Sequence, residues 1–539
     1  MSDATGNSTN VYDPFGELTS ATNGAGQQTG YAYDADSNET GITYPLPGTH
    51  SWAATTTVGY GYDHADIRTS VTDFNNNQIT ITPNADELPN SVTLGSTGDT
   101  IATTYDNADA ASAITLKNSS TTLQSFTYSD SPAGTILSET DTPSSALSPA
   151  AYAYDAQGRV TSDTPGTGSA NTYSFDASGN LTTLPAGAAD TYDHAGELTS
   201  SVLSGTTTGY TYNSDGEQLT SVQGSTTQSA ATWNGAGQMA TYSNSAANMT
   251  AAAYDGNGLR ASTTITPSGG SAVTQGYAWN TQSAIPQLLM DGANAYIFTT
   301  GAAPAEQVNL ATGTITYLAA DLLGSIRGTV SSAGVLTATT SYDAWGNPET
   351  TGGLSVSTPF GYAGGYTDPT GLVYLINRYY DPETGQFVSV DPELASTWQA
   401  YSYADGDPVV RTDPSGLSAS WTQLIRSHNV STPWGTYWVP AGGFSAWIYG
   451  SGTYVDYMVA AFSMVGVISN WYFQFRIVTS RQSPVAWCNG SEHYSSNSGA
   501  AMKCTAYANY PRARGGFAYI ALYEQSGFVN VGMIMFNIE

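Results

Sequence analysis

One phrase returns along most of this chain and restricts what it can become. Two apolar or aromatic positions alternate, an Asp or Asn follows, then two or three small residues, a Gly and a second alternating stretch. It reads Tyr12-Asp13-Pro14-Phe15-Gly16-Glu17-Leu18-Thr19, Tyr154-Asp155-Ala156-Gln157-Gly158-Arg159-Val160, Phe175-Asp176-Ala177-Ser178-Gly179-Asn180-Leu181 and Tyr254-Asp255-Gly256-Asn257-Gly258. Shorter copies stand at Tyr33-Asp34, Tyr62-Asp63, Tyr105-Asp106, Tyr128-Ser129-Asp130, Tyr192-Asp193, Tyr212-Asn213 and Trp233-Asn234. Where the copies are clearest the aromatic returns about every 20–21 residues, a period that marks stacked arrays.

The physics of the phrase is that of a β-hairpin. Ala151-Tyr152-Ala153-Tyr154 alternates with period two, so its tyrosines share one face of a strand. The Asp accepts backbone N–H bonds in the turn, and the Gly takes the positive φ that other residues resist. Arg159-Val160-Thr161-Ser162 then opens the return strand. A single hairpin cannot bury its apolar face, so stacked copies must complete one another's sheet. These carboxylates are not clustered at calcium-loop spacing, and turn capping accounts for them.

Composition agrees. Tyr (37) outnumbers Phe (14) and only 10% of residues are charged, which suits short polar-faced strands and excludes a helical bundle. The aromatic content excludes disorder. At 539 residues there is room for a repeat array plus a small domain. The net charge of -30 is uneven: residues 418–539 carry about +2, which leaves about -32 on the rest. An acidic surface repels nucleic acid, so the array is not expected to bind DNA or RNA.

The repeat phrase resembles the YD/RHS repeat of bacterial polymorphic toxins, toxin-complex C subunits and the teneurin shell. Asp321-Leu322-Leu323-Gly324-Ser325-Ile326-Arg327 and Ser341-Tyr342-Asp343-Ala344-Trp345-Gly346 are similar to the blocks that precede the core of that family. Tyr362-Ala363-Gly364, Asp368-Pro369-Thr370-Gly371-Leu372-Val373-Tyr374 and Arg378-Tyr379-Tyr380-Asp381-Pro382-Glu383-Thr384-Gly385-Gln386-Phe387-Val388-Ser389-Val390-Asp391-Pro392 follow the RHS-associated core closely. The resemblance covers roughly residues 10–417. It implies an all-β fold: a YD-repeat hairpin array spiralling into a shell or barrel over residues 1–350, plugged by an RHS core at 351–417. A variable, β-rich C-terminal domain at 418–539 follows, and no cofactor is implied.

Cleaving members of the family use this core as an intramolecular aspartyl protease that cuts after Asp-Pro-x-Gly-Leu. By motif the aspartates are Asp391 and Asp413, Arg378 matches the supporting arginine, and the cut falls between Leu417 and Ser418. Hydrolysis by carboxylates needs one ionised group to activate water and one protonated group to donate. An adjacent Arg fixes the charge and orientation of one of them. Asp-Pro pairs are also common in turns, and some relatives keep the core as an uncleaved plug. The family's Asn-Asn-Pro is here Gly406-Asp407-Pro408, which adds a carboxylate close in sequence to the pair.

After Leu417 the repeat phrase stops and Trp becomes frequent. Ser420 to Arg426 reads as one or two helical turns, and the rest favours strands around 471–478, 517–523 and 532–538. A β-sandwich or barrel of about 120 residues fits. Cys488 and Cys504, the only cysteines, read as one disulfide or as two reduced buried thiols. They do not form a zinc pattern with two distant histidines, so no metal site is expected. Glu492, His493 and Arg512 are the candidate polar site here, either for a metal-independent ribonuclease or as a surface loop. The rows of Trp and Tyr equally suit a glycan-binding or surface-binding module.

The start has no basic or apolar leader stretch, so no signal peptide is expected there, and the longest apolar run is too short to span a bilayer. Two functions follow as expectations. One is a secreted shell that releases a toxin-type C-terminal effector and has a cognate immunity protein. The other is an uncleaved surface protein that displays an adhesive domain for a glycan or cell-surface ligand. Around 400 residues of hairpins make a small wall, so a shell-completing partner or a further N-terminal region is expected, or else the C-terminal domain sits outside the wall.

Overall fold

The computed structural model describes residues 1–417, apart from short loop stretches at 49, 53–55, 108–109, 132–133, 144–148, 167–168, 185–186, 284, 302, 349–352 and 398. Beyond 417 it describes the backbone of ten strands between Thr422 and Phe536.

Chain-adjacent pairing dominates the first 417 residues. A twelve-stranded antiparallel meander runs from Thr9–Tyr12 to Ile136–Thr142, each strand bonded to its neighbours in sequence. A three-stranded sheet beginning at Pro149–Tyr154 follows, and then an eleven-stranded meander from Ser174–Phe175 to Val273–Gly276. Seven strands from Ala278–Asn280 to Leu336–Thr339 form a third large sheet. The core segment adds a four-stranded sheet, from Tyr366–Thr367 to Gln386–Phe387.

The repeat phrase makes the turn it predicts. Asp13 Oδ1 accepts the N–H of Phe15 at 2.8 Å and of Glu17 at 2.9 Å, while Gly16 sits at φ +89°. The same arrangement recurs around Asp155, Asp176, Asp193, Asn213, Asn234 and Asp255. Ser37, Asp66, Asn76 and Glu87 take the left-handed position where the Gly is missing, with φ near 60–66°. That substitution explains why the early copies are faint in sequence.

The aromatic of the phrase has a second partner, in the preceding hairpin. Tyr33 Oη donates to Leu18 O at 3.1 Å, Tyr62 to Glu39 O at 2.8 Å, Tyr154 to Ile136 O at 2.6 Å and Tyr254 to Met239 O at 2.9 Å. Trp233 and Trp279 make the same bond through Nε1, to Gln218 O and Arg260 O, both at 2.8 Å. In each case the acceptor is at or near the start of the preceding hairpin's return strand. The half-buried ring covers its neighbour while its polar tip satisfies a backbone acceptor. This bond gives a reason for Tyr and Trp over Phe. Phe175, which cannot donate, instead lies under the Arg159 guanidinium at 4.3 Å.

The meanders bury alternate residues, as in Gln78–Pro83, whereas Ile326–Ser331 in the third sheet is buried on both faces. The third sheet packs against both meanders. Leu18, Val58, Ile79 and Leu116 of the first meander share one apolar cluster with Leu289, Ile297, Val308 and Val330. Met239, Met249 and Ile265 of the second share another with Tyr296, Leu318 and the core residues Phe360, Tyr374 and Val388. Trp345, Tyr380, Phe387 and Tyr403 form the centre of a third cluster, beside Val160 and Leu181. The apolar faces of the wall are thus covered by the chain's own third sheet and core segment.

Three of the seven basic residues before Ser418 are buried and act as cross-links. Arg260 pairs with Asp368 at 2.7 Å, joining the second meander to the core segment. Arg327 holds Glu139 at 3.0 Å, Asp321 at 3.1 Å and also Asp141, joining the third sheet to the last strand of the first meander. Arg378 is the third.

Beyond Leu417, Thr422–Ile425 is a strand paired with Gly442–Ser451, where the sequence suggested helical turns; the neighbouring strand overrides weak local preference. The expected strands appear as Tyr472–Thr479, Gly516–Glu524 and Gly527–Phe536, joined in one four-stranded sheet with Pro484–Asn489.

Candidate active site in the core segment

Arg378 opens the strand Arg378–Asp381, immediately after a tight turn from Val373–Leu375. Its guanidinium lies 3.6 Å over the Phe387 ring, which leaves its edge to face polar groups. From there Nη2 is 3.6 Å from Asp391 Oδ2 and 3.3 Å from Asp413 Oδ2. Both carboxylate side chains are 2% exposed. The three residues singled out in the sequence therefore converge on one nitrogen, out of water, although Arg378 and Asp413 are 35 positions apart.

Each carboxylate is held by its own local turn. Asp391 Oδ1 accepts the Glu393 N–H at 2.7 Å, and Oδ2 accepts the Thr397 hydroxyl at 2.8 Å from the short helix Leu394–Thr397. Asp413 Oδ1 accepts the Leu417 N–H at 3.1 Å and the Ser415 hydroxyl at 3.3 Å. The Asp413-Pro-Ser-Gly-Leu turn thus brings the N–H of Leu417 onto one of the two carboxylates. Arg378 Nε donates to Gly416 O in the same turn. Gly416 has φ +67°, and a Cβ there would lie 2.5 Å from Leu375 O, so glycine is required.

Burial lowers the Arg378 guanidinium below the ordinary arginine value, and Asp391 and Asp413 act against that shift. A third carboxyl, Glu393, is raised above its usual range, first by burial and then by the negative charge of Asp391. Glu393, Thr397 and Phe387 belong to the site and were not singled out in the sequence. Only Phe387, inside the matched core motif, carried a signal there. Asp407 stands apart in its own turn: burial pushes its carboxyl up to about 6, opposed by Arg411.

Ser418, Glu492, His493 and Arg512 lie outside the described residues. Cys488 and Cys504 fall on Pro484–Asn489 and Ala501–Tyr507, strands of two different sheets, and their side chains are likewise outside the description. Among the described residues no group of three or more His, Cys, Asp or Glu could hold a metal ion. No described helix is long and apolar enough to cross a membrane.

The hairpin wall with a plugging core segment defines a class, the YD-repeat shells. The teneurin YD-shell family matches residues 112–408, and the RHS repeat matches residues 12–49. The chain belongs to the teneurin YD-shell family and carries an RHS repeat. Among solved structures it is similar to the Photorhabdus luminescens Tc holotoxin pore, with a TM-score of 0.50 and 17% identity, over 76% of this chain and 21% of that one. That likeness is one of fold.

Among curated proteins it is 37% identical over 110 residues to tRNA nuclease WapA of Bacillus subtilis (strain 168), covering 19% of this chain and 5% of the relative. It is 33% identical over 147 residues to double-stranded DNA deaminase toxin A of Burkholderia cenocepacia (strain H111), covering 24% and 10%. The chain therefore spans a small fraction of the length of these relatives.

Proposed function

We propose that the chain is a secreted carrier of the polymorphic-toxin kind, in which a repeat wall (residues 1–350) and core (351–417) cut the chain after Leu417 and free residues 418–539 as an effector. The observation that supports this reading best is the convergence of Asp391 and Asp413 on Arg378, with the Leu417 N–H seated on Asp413. Toxin-related relatives support the effector half of the reading.

In the proposed reaction one carboxylate takes a proton from water, whose oxygen bonds to the Leu417 carbonyl carbon. The other carboxyl group supplies a proton to the carbonyl oxygen. Collapse breaks the C–N bond as the carboxyl that took the water proton passes it to the Ser418 nitrogen and the other carboxylate recovers its proton from a hydroxyl of the intermediate; Ser418 leaves as the amine and Leu417 keeps the new carboxyl group. The Arg378 guanidinium faces both carboxylates and sets their orientation. Arg378 Nη1, buried and without an acceptor among the described residues, is available to the developing oxyanion. The effector's target, a cognate immunity protein and a shell-completing partner belong to the same reading.

Intact mass under denaturing conditions tests it. Wild type should separate into residues 1–417 and 418–539, and Asp413→Asn should remain whole. Two uncut chains of full mass would remove the protease and leave a display protein with a C-terminal adhesive domain.

A further inference from the structure

Building on that self-cleavage reading, we propose that Asn377 is a positioning residue that clamps the segment leading into the cut. Its backbone N–H lies 3.1 Å and its Nδ2 3.0 Å from the same acceptor, Ser415 O. Arg378 Nε takes Gly416 O, and Asp413 Oδ1 takes the Leu417 N–H at 3.1 Å. Three consecutive residues before the Leu417–Ser418 bond are therefore fixed by three different groups. Asn377 supplies two of the donors.

The turn that presents Asn377 is built at a cost. The Asn377 N–H also donates to Leu375 O at 2.7 Å, closing a three-residue turn around Ile376. Ile376 sits at φ +63°, a region that a β-branched residue avoids. Such a conformation costs on the order of 1–3 kcal/mol and persists only where its surroundings impose it. Here Leu375 and Arg378 are paired across the turn, and a Cβ added at Gly416 would lie 2.5 Å from Leu375 O and 3.0 Å from Arg378 N. The strained turn and the glycine of the final motif fit each other. Asn377 itself is exposed, so its side chain contributes nothing to the apolar core and its position is explained by the Ser415 carbonyl.

The clamp acts by geometry: holding Ser415 O sets where the next carbonyl but one, that of Leu417, stands relative to the carboxylates. Asn377→Ala keeps the backbone donor and loses the side-chain donor. Asn377→Asp loses the side-chain donor while ionised and regains it when protonated. The charged groups around this turn are Arg378, Asp413, Asp391 and Glu393; the ionised carboxylate of Asn377→Asp acts on them and the methyl of Asn377→Ala does not. Asn377→Ala against wild type, which changes no charge, therefore reads the lost donor, and the Asp/Ala ratio reads the donor together with the added charge.

The experiment is pulse-labelled cell-free synthesis of the full chain, transfer into buffers from pH 4.5 to 8, and timing of the 1–417 fragment. Wild type should cleave, Asp413→Asn should not, and Asn377→Ala should be slower than wild type by about five- to ten-fold. Asn377→Asp should be slower than Asn377→Ala at pH 8 and overtake it as the pH approaches the ordinary carboxyl range. Cleavage of Asn377→Ala at the wild-type rate, or an Asp/Ala ratio independent of pH, overturns the clamp and leaves the protease reading standing. An uncut wild type overturns the protease reading itself and the clamp with it.

Discussion

The buried pair between Arg260 and Asp368 offers the sharpest test of how the wall is fastened to the core segment. Arg260 is fully buried, with Nη1 2.7 Å from Asp368 Oδ2 and 3.1 Å from Tyr379 Oη. The rings of Tyr277, Tyr366 and Tyr374 surround it, with centroids at 4.5, 5.1 and 4.3 Å from the guanidinium carbon. Burial raises the Asp368 carboxyl, and Arg260 is what opposes the shift. Arg260→Met preserves much of the side-chain volume and strands Asp368 in an apolar site. Breaking a buried pair from one side costs about 3–5 kcal/mol, whereas replacing both members with apolar residues is often close to neutral. Arg260→Met in an Asp413→Asn chain is therefore expected to lose about 4 kcal/mol in urea unfolding followed by Trp fluorescence. Adding Asp368→Leu should recover at least about 2 kcal/mol of that loss. A single-variant loss under about 1 kcal/mol, or strict additivity of the two changes, would refute the claim that this pair joins the layers.

Other consequences are open to direct measurement. Tyr154→Phe and Tyr254→Phe each remove one bond to the preceding hairpin and should cost about 0.5–1.5 kcal/mol; losses near zero from both would count against the cross-hairpin bond. Burial pushes the carboxyls of Glu39 and Asp381 up to about 7, and those of Asp190 and Asp343 to about 6. The folded chain holds these protons where the unfolded chain has lost them, so their contribution is full below about pH 4 and disappears as pH rises through 6–7. The Asp413→Asn chain should thus melt at a higher temperature at pH 5 than at pH 8, and a flat or rising profile would contradict the assignment. Gly416→Ala should abolish cleavage and lower the melting temperature, because it forces a Cβ to 2.5 Å from the buried Leu375 backbone oxygen and puts an alanine at φ +67°; cleavage at the wild-type rate would contradict the fit of this turn.

Much of the array could be read in the residues, and the physical reason is locality. Alternation with period two, a carboxylate two and four residues before the N–H groups it accepts, and a Gly at positive φ all act within one hairpin. The turns around Asp73 and Asn84 escaped notice because Thr72 and Pro83 stand where the aromatic was sought, although both turns form in the same way. In the core segment Arg378, Asp391 and Asp413 were visible through their motifs. Thr397 and Asn377 were not, since a hydroxyl six residues beyond its carboxylate and an exposed Asn in a turn look like ordinary surface positions.

The amino-acid order by itself determined that this chain is an all-β array of stacked hairpins closed by a core motif, because each strand bonds to its neighbour in sequence and each turn carries its own chemistry. Tertiary structure alone decided what fills the array and how it is fastened. The third sheet is covered by both meanders, and its Arg327 meets Glu139 across 188 positions. Likewise the tyrosine of one hairpin bonds to a carbonyl of the one before. Buried charges and polar tips must find partners wherever the packed layers bring them, and that choice depends on layer geometry rather than on any local pattern.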